Sequence, residues 1–128
     1  MPVPKSDCHL EVGRAGEAAA RAYLQRRGYV ILEQNYRKKR AEVDLIAKQG
    51  GELVFVEVRT RRDGSLGPPE ETFTKEKLRR LRRHAEVYLA WRGWRCPCRI
   101  DAACVVLAPG RWGRFRVTRL THYENITA

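Results

Sequence analysis

Apolar and polar residues along this 128-residue chain follow two different periods, and the switches between them mark the elements. From Gly13 to Arg27 the run GRAGEAAARAYLQRR is alanine-rich. Gly13, Glu17, Ala20 and Leu24 recur there at helical spacing, and Gly28 suits a C-cap, which predicts a helix over residues 14–27. The period then drops to two. Tyr29-Val30-Ile31-Leu32 opens a strand ending near Asn35, Ala41 to Ala47 alternates like a half-buried strand, and Leu53 to Arg59 is a β-branched and aromatic run. Between the last two, Gly50-Gly51 suits a two-residue primed hairpin turn. Thr74 is a good N-cap for a second helix over residues 75–91, whose apolar stripe is Leu78, Leu81, Ala85 and Tyr88. Residues 99–107 and 115–120 read as two further strands, the last at an edge, with a turn at Pro109-Gly110. The order α-β-β-β-α-β-β predicts an α/β fold with a central mixed β-sheet flanked by helices. Residues 1–12 read as a flexible N-terminal tail and residues 13–128 as a single domain.

The hairpin places acids against one another. With Gly50-Gly51 as the turn, paired positions sum to 101, setting Asp44 opposite Glu57 and Glu42 opposite Arg59. Directly opposed side chains have Cβ atoms roughly 4.5–5.5 Å apart, and like charges there repel. Either a divalent cation held by both carboxylates offsets the repulsion, or the register is shifted and these are two ordinary exposed acids. Glu17 is a third acid in an unusual place, on the small and apolar face of the first helix. It either caps or pairs with a basic side chain, or points into a polar site.

Charge narrows the partners. Lys and Arg number 26 against 15 acids, a net +11 with pI near 10.1, which points to a polyanion, nucleic acid being the commonest. A basic surface with no partner and attraction to anionic lipid are the alternatives. The cations cluster: Arg37-Lys38-Lys39-Arg40 is a basic turn, Arg61 and Arg62 follow the hairpin in a Gly/Pro-rich loop, and residues 75–95 hold eight basic and two acidic side chains. That density favours a phosphate-facing surface built from Arg37, Arg61, Arg62, Lys77, Arg79, Arg80 and Arg83. No run of 18 apolar residues exists to span a membrane, and the N-terminus has no signal-like apolar core, so a cytoplasmic location is expected by default. Cys96-Pro97-Cys98 lacks zinc-knuckle spacing; with Cys8-His9 it makes a poor zinc set, and reduced thiols are the better reading. Trp91, Trp94 and Trp112 lie near the ends of elements, either as core residues or as contacts for a second copy.

The spacing Asp44-x12-Glu57-x-Arg59 approximates the D…(D/E)-x-K pattern of restriction-endonuclease-like nucleases. The chemistry accounts for the residue types. Two carboxylates hold a magnesium ion that keeps part of its water shell, the metal acidifies that water, and a basic side chain on the same strand face orients it or clamps the phosphate.

Longer segments carry a resemblance. They are Gly13-x-x-Gly16-Glu17-x-x-Ala20-x-x-Tyr23-Leu24, Gly28-Tyr29-x-Ile31-Leu32-x-x-Asn35-Tyr36-Arg37, Ala41-Glu42-Val43-Asp44-Leu45-Ile46 and Val54-Phe55-Val56-Glu57-Val58-Arg59-x-Arg61. With Gly67-x-Pro69, Thr74-x-x-Lys77, Ala85-x-x-Tyr88-Leu89 and Arg99-x-Asp101, the chain resembles the YraN family of bacterial proteins over roughly residues 13–123. That family is similar to archaeal Holliday-junction resolvases. The resemblance implies a restriction-endonuclease-like fold, a site of Glu17, Asp44, Glu57 and the residue at 59, Mg2+ or Mn2+ on the three acids, branched or structured DNA as substrate, and a homodimer on that DNA. Two departures stand out: Ala41 where the family usually has Gly, and Arg59 where it usually has Lys. Arginine stays charged at any working pH and cannot accept a proton, so a nucleic-acid-binding protein with little or no cleavage is the alternative, and an RNA or protein assembly factor the third.

Overall fold

A computed structural model describes the backbone of residues 5–65 and 67–128, and the side chains from His9 onward with Leu66 excepted. Helix α1 (Lys5–Arg26) leads into β1 (Val30–Lys38), β2 (Ala41–Gln49) and β3 (Glu52–Arg62). A short 3-10 turn at Pro69–Thr72 and helix α2 (Lys75–Arg92) then carry the chain over to β4 (Cys98–Pro109) and β5 (Phe115–Tyr123). The strands form one sheet in the order β1-β2-β3-β4-β5. Short turns make the β1–β2, β2–β3 and β4–β5 pairs antiparallel, while the long crossover through α2 makes β3 and β4 parallel. This is an α/β fold with a mixed sheet between two helices, compatible with the restriction-endonuclease-like expectation. Among the described residues no helix is long and apolar enough to cross a membrane.

Helix α2 starts and stops where its sequence says. The Thr74 hydroxyl accepts from the Lys77 backbone N–H at 3.1 Å, and Gly93 closes the helix in the left-handed conformation at φ 68°. Helix α1 does not start where expected: it begins at Lys5 rather than at Arg14, so residues 5–12 are helix and not tail, and residues 1–4 lie outside the described part. Nothing after Pro4 breaks a helix, and Val12 gives the added turns a core contact. The first hairpin also differs. Arg37 and Lys38 belong to β1, and only Lys39 and Arg40 turn, at φ 54° and 64°, the two positive values a primed two-residue turn requires. Without glycine there, the sequence carried no sharp turn signal.

Each face of the sheet has its own core. Val12, Ala20 and Leu24 of α1 pack with Leu45, Val54, Val56, Val58 and Val105 on one side. Leu81, Ala85 and Tyr88 of α2 pack with Val43, Ile46, Phe55 and Ile100 on the other. Behind the first of these, buried Asp101 accepts from Arg99 Nε at 3.0 Å, His122 Nε2 at 2.8 Å and the Asn125 N–H at 2.9 Å. Burial alone would raise its pKa, but these three donors outweigh it and hold the carboxyl below its ordinary value. The group is fully satisfied and ties β4, β5 and the chain end together.

Gly16 sets how closely α1 approaches the sheet. A Cβ built there would stand 2.8 Å from Thr60 Cβ, closer than side chains tolerate. Gly16→Ala is therefore expected to destabilise the protein by about 1–3 kcal/mol, with Thr60→Ala on the same chain restoring part of the loss. Urea denaturation of the single and double variants checks this, and additive effects would show that the contact does not set the spacing.

Candidate functional site

The expected hairpin register is correct as far as it runs. The β2–β3 ladder pairs Gln49 with Glu52 and continues to Leu45 with Val56, and there it stops. Beyond that point β2 stays hydrogen-bonded to β1 and β3 to β4, so the two strands fork. Asp44 and Glu57 are the first residues past the fork. Glu42 does not face Arg59 as expected: it pairs with Arg37 on β1 and is exposed.

A change of face accompanies the fork. Strict alternation would put Ala41, Val43, Leu45 and Ala47 on one side of the sheet. Ala41 and Val43 instead pack in the α2-side core, and Leu45 and Ala47 in the α1-side core. The switch falls at Asp44. Across from it, Asn35 sits at φ 53°, and between Glu33 and Lys38 the Asn35–Asp44 pair alone is missing from the β1–β2 register. Asparagine tolerates that left-handed backbone better than most residues. Such local breaks re-aim side chains next to sites.

Side chains from both layers meet in the fork. Asp44 Oδ2 accepts the Val58 backbone N–H at 2.8 Å, and Arg37 Nη2 lies 3.5 Å from Asp44 Oδ1. Glu57 Oε1 is held by Arg59 Nη2 at 3.1 Å and by Lys77 Nζ at 3.4 Å. Glu17 arrives from α1 into the same cleft. Together with Arg61, Arg80, His9 and His84 they line one open cleft of about 790 Å³.

The acids feel one another. Burial pushes the Glu57 carboxyl up to about 7, and the negative charge of Asp44 beside it adds to the rise against the opposing Arg59 and Arg37. Burial also raises Glu17, again with help from Asp44 and against Asn35 and Arg37. Asp44 thus couples to both other acids. Among the described residues, however, no three His, Cys, Asp or Glu side chains form a ready metal-binding cluster. The acids here turn toward cations: Arg37 on Asp44, and Arg59 and Lys77 on Glu57.

The expected phosphate contacts divide. Arg37, Arg61, Lys77 and Arg80 line the cleft. Arg62 is exposed at the end of β3, Arg83 is exposed outside the cleft, and Arg79 faces a separate groove with Lys75 and Arg82. Lys77 is the clear correction to a solvent-facing role, since it is only 7% exposed and spends its ammonium on Glu57. The signal for this was present, because Lys77, Leu81, His84 and Tyr88 recur at helical spacing and form the inner face of α2. Asn35, at the break in the β1–β2 register, and His84, whose Nδ1 lies 3.1 Å from the Glu42 carbonyl oxygen, are not among the sequence candidates. Cys96 and Cys98 are free thiols. The Cys8 side chain of the discounted zinc set lies outside the described residues.

Comparison with known proteins gives a consistent result. The profile of uncharacterised protein family UPF0102 matches residues 16–105. A UPF0102 protein of Symbiobacterium thermophilum is 50% identical over 106 residues, covering 82% of this chain and 88% of its own. One from Chlorobium chlorochromatii is 48% identical over 101 residues, 79% of this chain and 77% of its own. One from Chlorobium phaeobacteroides is 37% identical over 121 residues, 94% of both.

The coupling of the acids has a measurable signature. Glu57 is expected to titrate near pH 7 by carboxyl-detected NMR, and Asp44→Asn to move that midpoint down toward the ordinary glutamate range. Because its folded pKa is raised, the cost of Glu57 to stability is absent below the unfolded value of 4.5, grows as pH climbs to about 7 and is present in full above that. A midpoint unmoved in Asp44→Asn would show that burial alone raises it.

Proposed function

The chain belongs to uncharacterised protein family UPF0102, the YraN family, and on that premise we propose that it is a metal-dependent nuclease-like protein acting on branched or otherwise structured DNA. One observation carries the reading: Asp44 and Glu57 stand coupled at the mouth of the fork, with Glu17 beside them, in an open cleft rimmed by arginines.

The donors fit a hard divalent ion. All are carboxylate oxygens, one fixed by a backbone N–H, and burial, with the charge of Asp44 added to it, raises Glu57 to about 7, a rise that a bound cation would oppose. Asp44 and Glu57, with Glu17 adjacent, would hold Mg2+ or Mn2+, which when bound acidifies water and offsets charge on the scissile phosphate. Arg59 keeps its charge at every working pH, so it binds and orients phosphate and does not accept a proton. Its Nε is shielded from solvent and finds no hydrogen-bond partner among the described residues, so a phosphate would meet the Nη groups of this side chain and not Nε. Lys77 holds the Glu57 carboxylate from behind, and Arg37, Arg61 and Arg80 attract the nucleic-acid backbone.

Arg59 in place of lysine favours a second reading, a nucleic-acid-binding protein on a nuclease fold with little or no cleavage. One site makes one incision, so symmetrical cutting of a junction requires two copies of the chain on the DNA.

Purified protein incubated with four-way, forked and linear DNA in Mg2+ or Mn2+ separates the two. The nuclease reading expects incision of branched DNA that drops by at least about 100-fold in Asp44→Ala and Glu57→Ala while binding persists, and that rises in Arg59→Lys. A wild-type protein that binds junctions but never incises them in either ion leaves the binding reading. Binding itself is expected to weaken steeply between low and moderate salt, by counterion release, and salt-independent affinity would reject a nucleic-acid partner.

A further inference from the structure

The β4–β5 connection carries a feature that the cleft does not use. Trp112 is 93% exposed, the largest exposed fraction among the large hydrophobic residues described. It is held at φ 61° and ψ 35°, a left-handed conformation that a bulky side chain rarely takes and any glycine would relieve. The turn around it is nonetheless well anchored: the Gly110 N–H donates to the Arg114 carbonyl at 2.6 Å, and the Arg114 N–H to the Arg111 carbonyl at 3.1 Å. A large apolar ring is thus presented to solvent on a fixed and strained support. Strain retained in this way points to a use for the side chain.

The surroundings select the partner. Arg111, Arg114 and Arg116 are exposed, and none takes part in an ion pair among the described residues. Exposed Arg62 ends the neighbouring strand, where it pairs with Leu107 of β4. Beside the turn runs a shallow groove of about 500 Å³ lined by Ala15, Ala18, Phe115 and Val117, whose rim carries Arg14, Arg114 and one acid, Glu11. An indole ring, free guanidinium groups and an apolar groove with a basic rim together match a nucleic acid with unpaired bases. Stacking takes the base, and the arginines take the phosphates.

We propose that Trp112 is a base-stacking residue and that the β4–β5 turn binds the unpaired strand of a substrate containing single-stranded DNA. Ala102 of β4 faces Glu57, and Pro109 lies seven residues further along, roughly 23 Å at the rise of an extended strand. That is roughly seven base steps from the cleft. The groove and the cleft lie on opposite flanks of α1, with Arg14, Ala15 and Ala18 on one and Val12, Gly13 and Glu17 on the other. A fork or junction offers the geometry this needs, a duplex arm at the cleft and an unpaired strand at the turn. The proposal sharpens the nuclease reading in its substrate but does not require cleavage.

The test is fluorescence anisotropy of the full chain with labelled single-stranded, forked and blunt duplex DNA, in EDTA so that incision plays no part. Trp112→Gly removes the ring at a position where glycine is at ease, so the turn is kept. It is expected to bind single-stranded and forked DNA about 5- to 100-fold more weakly, with duplex affinity unchanged. Trp112→Phe, which keeps a stacking ring, is expected to retain most of the affinity. Equal affinity of wild type and Trp112→Gly for all three ligands overturns the proposal, and so does an equal loss on all three. Loss confined to unpaired strands sustains it even where the wild-type protein cuts nothing, so its outcome is separate from that of the nuclease reading.

Discussion

The site exists because two strands that begin as a hairpin part company at one residue pair. The Asp44 carboxylate takes the Val58 N–H that would otherwise be an unmet donor at the fork. A side chain thus finishes a ladder that the backbone leaves at Leu45 and Val56. Were the ladder continued, Asp44 and Glu57 would be neighbours on a closed sheet, repelling each other with no room between them for a third group. The opening separates the strands, lets β2 change the face it buries, and admits side chains from both layers of the fold.

Those two layers then contribute unequally. From one side α1 delivers Glu17, its depth set by the absence of a side chain at Gly16 against Thr60. From the other, α2 delivers Lys77 onto Glu57, and the Thr74 cap fixes the helix start only three residues away. The cleft itself is close to electrical balance, with Arg37, Arg59, Arg61, Lys77 and Arg80 facing Glu17, Glu42, Asp44 and Glu57. The large positive charge of the chain therefore lies mostly outside it, along α2 and at the β4–β5 turn. The net positive field and the cluster of acids thus lie on different surfaces.

Three tryptophans with the same sequence credentials end in two different settings. Trp91 and Trp94 lie against Tyr88, with Arg92 over both indoles, so each is half covered in an aromatic cluster at the end of α2. Trp112 touches no such cluster. Nothing in the residue type separates them, because exposure depends on what the fold brings alongside.

Residue order alone settled much of this protein. Local signals placed the hairpin at Gly50-Gly51, the cap at Thr74 and the α-β-β-β-α-β-β order, because each rests on chemistry within a few residues. One turn set Asp44 opposite Glu57 and one helical period put Glu17 on the apolar face of α1, while the expectation that the three share a site came from the family resemblance. The length of α1 was misjudged because its first turns depend on Val12 finding the core. The role of Lys77 was misjudged because a cation on a helix reads as solvated until an acid from another strand is found beneath it. The fork, the left-handed Asn35 and the switch of face at Asp44 belong to the tertiary structure. They arise where β2 must satisfy β1 on one side while β3 follows β4 on the other, a competition between strands distant in sequence that no local pattern records.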